Sequence, residues 1–210
     1  QEIQEVVNRN FGDVQVLRRP GYLATDDCQT DEVYRQALRQ LFYESGEWFG
    51  KEVVAVDVPY VALLDPTCPF RDKDDIVRAV TAYKKFGEYR GANPTVFCVV
   101  QDRKFHWQRT FEGTDFHEGV LRSINHDPST RVGRQSVLSW LYRESGAAYI
   151  IDPVRFLERG NYRQPPFIGC YLEESHAIEI DEPFDWLMAE AGHHTYLSCT
   201  TPATVHLKHG

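Results

Sequence analysis

Apolar positions recur along this chain in two rhythms, and their order predicts helices alternating with strands. In QEIQEVVNRNFG, Ile3, Val6 and Val7 share a helical face and Gly12 stands where a helix stops. VQVLRRP (14–20) reads as a short strand closed by Pro20. QTDEVYRQALRQLFYESG (29–46) is amphipathic through Val33, Ala37, Leu38 and Leu41, with Gly46 past its end. YVALL (60–64) and TVFCVV (95–100) are continuous apolar runs of the kind buried on both faces of a parallel sheet. Between them lie the turn DPTCPFR and the helical stretch DKDDIVRAVTAYKKF.

Residues from Arg103 to about Tyr142 break the rhythm with aromatic and basic residues (RKFHWQRTF) and turn signals (NHDPS), and read as an excursion from the sheet. AAYII (147–151) returns to strand character, DPVRFLERG reads as a short helix, and IGCYLEESHAIEI supplies one or two further strands. The alternation predicts an α/β, Rossmann-like fold with a mainly parallel, helix-flanked sheet spanning 1–210. Ligands of such sheets sit beyond the carboxyl ends of the strands.

Composition narrows the function. The apolar fraction of 42% and charged fraction of 26% are those of a globular protein. A net charge of −8 argues against a broad basic face for nucleic acid or an anionic membrane. No apolar run approaches the roughly 18 residues of a membrane span. Five scattered cysteines without a Cys-x-x-Cys pair point to a reducing, cytoplasmic setting. The chain begins with Gln1 and its one methionine is Met188, so upstream residues are expected to be missing.

Four stretches carry candidate chemistry, each with a plainer alternative. In HAIEIDEPFDWLMAE, Glu179 and Asp181 would project together from an extended strand and suit Mg²⁺. Alternatively, the acidic residues serve a helix starting at Pro183, where Asp185 suits the first turn. Asp65 ends a buried strand and, with two prolines stiffening the turn, either walls a ligand crevice or merely leads into a helix. That helix opens on DKDD, whose acidic side chains make its N-terminus a poor phosphate cradle. Arg18 and Arg19, before a polar loop, either grip a nucleotide or lie solvated on the surface. Arg131, Arg134 and Arg143, with Tyr149 in the next strand, either clamp an acidic substrate or are solvated helix charges.

Taken in order, RRPGYLATDDCQT, YVALLDPTCPFRDKDDI, GRQSVLSWLYRESGAAYI and AIEIDEPFDWLMAE resemble the CMP-sialic acid synthetase (acylneuraminate cytidylyltransferase) family. The resemblance covers most of residues 1–192. It implies transfer of CMP from CTP to the anomeric hydroxyl of an acidic nine-carbon 2-keto sugar, with release of pyrophosphate and use of Mg²⁺. By the same resemblance, Asp181 matches the principal metal-binding aspartate and Glu179 the second carboxylate. Arg19 and Thr30 match the loop that meets the nucleotide, and Asp65 the strand-end position facing the sugar. Arg134, Gln135 and Tyr149 match the region holding the acidic sugar. The excursion at about 103–142 corresponds to an inserted subdomain that implies a homodimer.

Departures accompany the likeness. Asp65 stands where the family has Gln, Glu179 replaces Asp, Ser145 replaces Asn, and Gln29 replaces a small hydroxyl residue. The family's N-terminal strand and its Arg-x-Gly-Ser-Lys-Gly…Lys-Asn triphosphate loop are absent from residues 1–12, which resemble a later helix. Without that loop little or no catalysis is expected. The substitutions also leave open legionaminic, pseudaminic or 3-deoxy-octulosonic acid as the sugar. A non-catalytic homologue serving as a binding module or oligomer partner is the alternative from a different class.

Overall fold

A computed structural model describes residues 2–44, 47–48, 51–52, 58–90, 93–101, 111–115, 120–123, 129 and 142–200. Helix α1 (Glu2–Asn10) buries none of its residues, whereas α2 (Thr30–Arg39) buries Leu38 and runs on through a wider turn over Gln40–Glu44. Two short strands, β1 (Glu47–Trp48) and β2 (Lys51–Glu52), pair antiparallel. Strand β3 (Val61–Leu63) leads through the proline-rich turn to α3 (Lys73–Arg90), and β4 (Thr95–Gln101) follows. Within the excursion, β5 (Phe111–Asp115) and β6 (Val120–Ser123) form a two-stranded antiparallel sheet. Then come β7 (Tyr142–Ile151), α4 (Pro153–Arg159), β8 (Phe167–Tyr171) and α5 (Pro183–Thr200).

The main sheet has the order β3-β7-β4-β8. It is mixed, not mainly parallel as the apolar runs predicted: β7 is antiparallel to both β3 and β4, and β4–β8 is the parallel pair. Strands β3, β4 and β8 therefore share one direction, and β7 enters between them reversed. An apolar run buried on both faces has the same composition whichever way its neighbours point, so the pattern could not separate the two cases. Among the described residues, the architecture is an open four-stranded α/β sheet flanked by helices. Residues 14–20 form no strand, and of the one or two strands expected over 168–180 only β8 forms.

Alternation along the central strands sorts two cores. Val96, Cys98 and Val100 of β4 and Ile150 of β7 pack with Ala79 and Tyr83 of α3 on one face. On the other, Tyr149 and Ile151 pack with Leu38, Phe42, Phe156 of α4 and Tyr162. The period-2 projection of a strand makes this division unavoidable once both faces carry helices.

Helix α4 shows how local sequence sets an element. Asp152 caps it, accepting from the amides of Val154 and Arg155 at 2.9 and 3.1 Å, with Pro153 at the first helical position. Gly160 ends it in the left-handed region at φ 73°, which an L side chain rarely adopts. The other Asp152 oxygen accepts from Asn93 Nδ2 at 2.6 Å, tying the cap to the turn before β4. Asp152→Ala is expected to cost about 1–2 kcal/mol, the upper part of the range for lost caps. Urea denaturation checks it; an unchanged midpoint would refute the cap's contribution.

Candidate functional site

Past the carboxyl end of β3 lies a cleft of about 520 Å³ lined by Arg19, Cys28, Thr30, Val33, Tyr34, Asp65, Pro66, Thr67, Glu179 and Asp181. Five residues singled out from sequence, spread over more than 160 positions, thus meet at one place: Arg19, Thr30, Asp65, Glu179 and Asp181.

Each wall has an identifiable support. Asp65 leaves β3 with its amide donating to Gly146 O at 3.2 Å. The Arg71 guanidinium donates to the carbonyls of Asp65 and Cys68, closing the turn from below. The Tyr34 hydroxyl donates to Asp65 Oδ1 in a short hydrogen bond. Burial, and then this bond to a carboxylate, pushes the Tyr34 hydroxyl well above its ordinary pKa, so it stays a donor. Tyr34 in turn meets Tyr162 edge to face at 6.1 Å, which anchors the cleft wall in the second core.

The opposite wall is the segment after the 3₁₀ turn Glu174–Ala177. It crosses to the first wall through a backbone bond, Ile180 N to Thr67 O at 2.9 Å. Glu179 and Asp181 sit in no ladder, contrary to the expected strand, yet both line the cleft. The helix-start reading holds in part, through Asp185. Its Oδ2 accepts from the amides of Asp181 and Glu182 at 3.0 and 2.8 Å, the backward half of a capping box. Asp185 thus serves the start of α5, while Asp181 is among the residues lining the cleft.

Three carboxylates converge here. A Cβ placed on Gly146 would lie 2.8 Å from both Asp65 Oδ2 and Glu179 Oε1, so the bare glycine is what lets both approach. Burial pushes the Glu179 carboxyl above its usual range; repulsion from Asp181 and then Asp65 adds to this, while Arg143 opposes it. The three carboxylates line one cleft, but their oxygens do not all lie within 4.8 Å of one another as those of the Asp72, Asp75 and His176 cluster do.

The remaining expectations fare differently. Tyr149 is buried, packs against Tyr162 at 5.0 Å, and donates to Glu144 Oε1 at 2.8 Å; it does not line the cleft. Glu144 also accepts from Arg163 at 2.9 Å. Arg134 and Gln135 lie outside the described residues. Residues that the pattern reading passed over include Tyr34, Thr67 and Gly146. Tyr34 was within reach of it, since it stands four positions after Thr30 and shares its helix face.

A second cluster, Asp72, Asp75 and His176, brings its ligand atoms within 4.8 Å of one another. Its bonds read as structural. Asp72 and Asp75 form a reciprocal capping box at the start of α3, each accepting the other's amide at 2.9 Å. Both Asp75 oxygens are engaged, one by Arg78 and the other by the Asp72 amide and His176 Nδ1. A cation there would face the Arg78 guanidinium.

In sequence the chain is 24% identical over 173 residues to the N-acylneuraminate cytidylyltransferase of Escherichia coli O18:K1:H7 (strain RS218 / NMEC). The chain is a distant relative of a cytidylyltransferase. The alignment takes in 82% of this chain but 36% of that protein, so the chain spans about a third of its relative's length. No family model matches the chain.

The raised Glu179 pKa yields a signed expectation for the metal-free protein. Its contribution to stability is fully present below the unfolded-state value, about 4.3, and is lost as pH rises through the higher folded value. Asp181→Asn and Asp65→Asn should each lower the Glu179 pKa, the first by more because Asp181 is the stronger repulsion. Carboxyl carbon NMR titration measures this directly. An unmoved Glu179 in both variants would contradict the convergence of charge.

Proposed function

We propose that the protein is a nucleotidyltransferase that moves CMP from CTP to the anomeric hydroxyl of a sialic-acid-like 2-keto acid sugar. The observation carrying this reading is the convergence of Arg19, Thr30, Asp65, Glu179 and Asp181 on one cleft at the end of a sheet strand. The distant likeness to a cytidylyltransferase supports the same class.

In the proposed reaction the anomeric hydroxyl gives up its proton to solvent as its oxygen attacks the α-phosphorus, the bond to the bridging oxygen of the β-phosphate breaks, and pyrophosphate leaves. Phosphoryl transfer of this kind needs alignment and charge neutralisation more than covalent help. Glu179 and Asp181 would hold Mg²⁺, which neutralises phosphate charge when bound. Arg19 and Thr30 bind the nucleotide from the α2 side: a guanidinium can pair with phosphate oxygens through two parallel bonds, and a hydroxyl accepts or donates as needed. Asp65, held by Tyr34, faces the sugar hydroxyls. In this reading Arg134 and Gln135 bind the sugar carboxylate, and Tyr149 supports the wall from the core without touching substrate. The protein acts as a cytoplasmic homodimer. Four described cysteines (28, 68, 98 and 170) are free thiols, and no described helix is long and apolar enough to cross a membrane.

Two observations favour variants of this reading. A fixed carboxylate at Asp65 sits awkwardly beside a sugar carboxylate, which favours another keto-acid sugar: legionaminic, pseudaminic or 3-deoxy-octulosonic acid. Among the described lining residues, Arg19 is the single cation facing a site meant for a triphosphate, which favours a non-catalytic binding module.

One experiment orders these readings. Pyrophosphate release from CTP is measured with each sugar in turn, with and without Mg²⁺. Asp181→Asn should abolish the Mg²⁺-dependent release, a drop of at least about 100-fold, while circular dichroism shows an intact fold. Release retained in that variant overturns the cation assignment. No release from the parent protein with any sugar, despite nucleotide binding, selects the non-catalytic reading.

A further inference from the structure

The segment that carries Glu179 and Asp181 lies outside the sheet ladder, so something else must hold it. The Ile180–Thr67 backbone bond is one tether. The second lies three residues upstream of Glu179, where His176 Nδ1 meets Asp75 Oδ2 at 2.8 Å. Asp75 is a fully buried carboxylate at the first turn of α3, and the His176 side chain is itself only 13% exposed.

We propose that the Asp75–His176 pair is a positioning device for the Glu179–Asp181 wall of the cleft. A buried carboxylate requires several donors, and Asp75 has three: the Asp72 amide, Arg78 and His176. The first two belong to α3 and its cap, so they fix the carboxylate with respect to that helix. The third comes from the far wall. Helix α3 is continuous, through the turn closed by Arg71, with Asp65 on the near wall. The bond from His176 thus fastens both walls to one rigid element, and the spacing of the carboxylates follows from it. His176 touches neither substrate nor cation; it acts through the backbone of Ala177–Asp181. Groups that fix the orientation of metal ligands typically govern affinity by 10–100-fold when removed.

The inference rests on the cation-binding reading of the cleft, and its test separates the two. His176→Phe keeps the ring's bulk and removes the donor; His176→Asn restores an N–H close to the position of Nδ1. Two quantities are measured on the full chain: the dissociation constant for Mg²⁺ alone by calorimetry, and hydrogen exchange of residues 177–181 without metal. The Phe variant should bind Mg²⁺ about tenfold more weakly, the low end of the range for such supporting groups. It should also exchange faster at 177–181, with β4 still protected. The Asn variant should recover binding to within about twofold, as expected if the single hydrogen bond carries the effect. Equal Mg²⁺ affinity in a folded Phe variant overturns the proposal, as does an Asn variant as impaired as Phe. Should the Phe variant not fold, His176→Gln, whose amide reaches the Nε2 position instead, takes its place with the same expected losses. If the parent protein binds no Mg²⁺ yet the exchange result holds, the function reading fails while the clamp stands.

Discussion

The cleft depends on a close approach over Gly146. There the backbone of β7 passes beneath two carboxylates, Asp65 Oδ2 and Glu179 Oε1, each 2.8 Å from where a side chain would begin. The same residue accepts the Asp65 amide through its carbonyl, so one position meets both the end of β3 and the Glu179 carboxylate. This is possible because β7 is the reversed strand between β3 and β4 and brings its Ser145-Gly146 step to the carboxyl end of β3. A larger residue at this point would displace charged groups whose spacing any bound cation would feel.

Charge is concentrated where the fold leaves it least compensated. Asp75 is buried but met by three donors, and Asp152 divides its oxygens between a helix cap and Asn93. Those carboxylates are occupied with structure. Glu179, by contrast, is held by burial and by two negative neighbours above its ordinary pKa. A strongly perturbed acid in a cleft, beside acids engaged in structure, marks a candidate functional site. Edge-to-face contacts of Tyr162 with Tyr34 and with Tyr149 join the Tyr34 support of Asp65 to the core.

Much of this was legible from residue order. The helices α2, α3, α4 and α5 follow apolar spacing, caps and stops, as in the Asp152, Pro153 and Gly160 set. The cleft residues Arg19, Asp65, Glu179 and Asp181 were marked by their neighbours: an arginine before a polar loop, a carboxylate at the end of an apolar run, two acids before a proline; Thr30 came from the family resemblance alone. Less legible was everything that depends on a partner distant in sequence. The strand expected over 14–20 found no ladder, and the strand expected at Glu179 gave way to a tethered loop. Tyr149 looked like a ligand contact beside its arginines but is a core residue, because the strand's alternation turns it to the α2 and α4 face.

Sequence alone determined where helices begin, which runs are buried, and which polar residues stand at the ends of those runs, whereas α2 ends at Arg39 before its expected stop and α5 runs on to Thr200. These are local matters of periodicity, capping and backbone restriction, decided within a few residues. Only the tertiary structure decided the direction of β7, since burial on both faces leaves strand polarity open. It also decided that Asp185 accepts the amides of Asp181 and Glu182 at the start of α5, because that turns on where its carboxylate points. And it decided that Asp65, Glu179 and Asp181 share one space, which follows from the packing of β3 and β7 and from the absence of a side chain at Gly146.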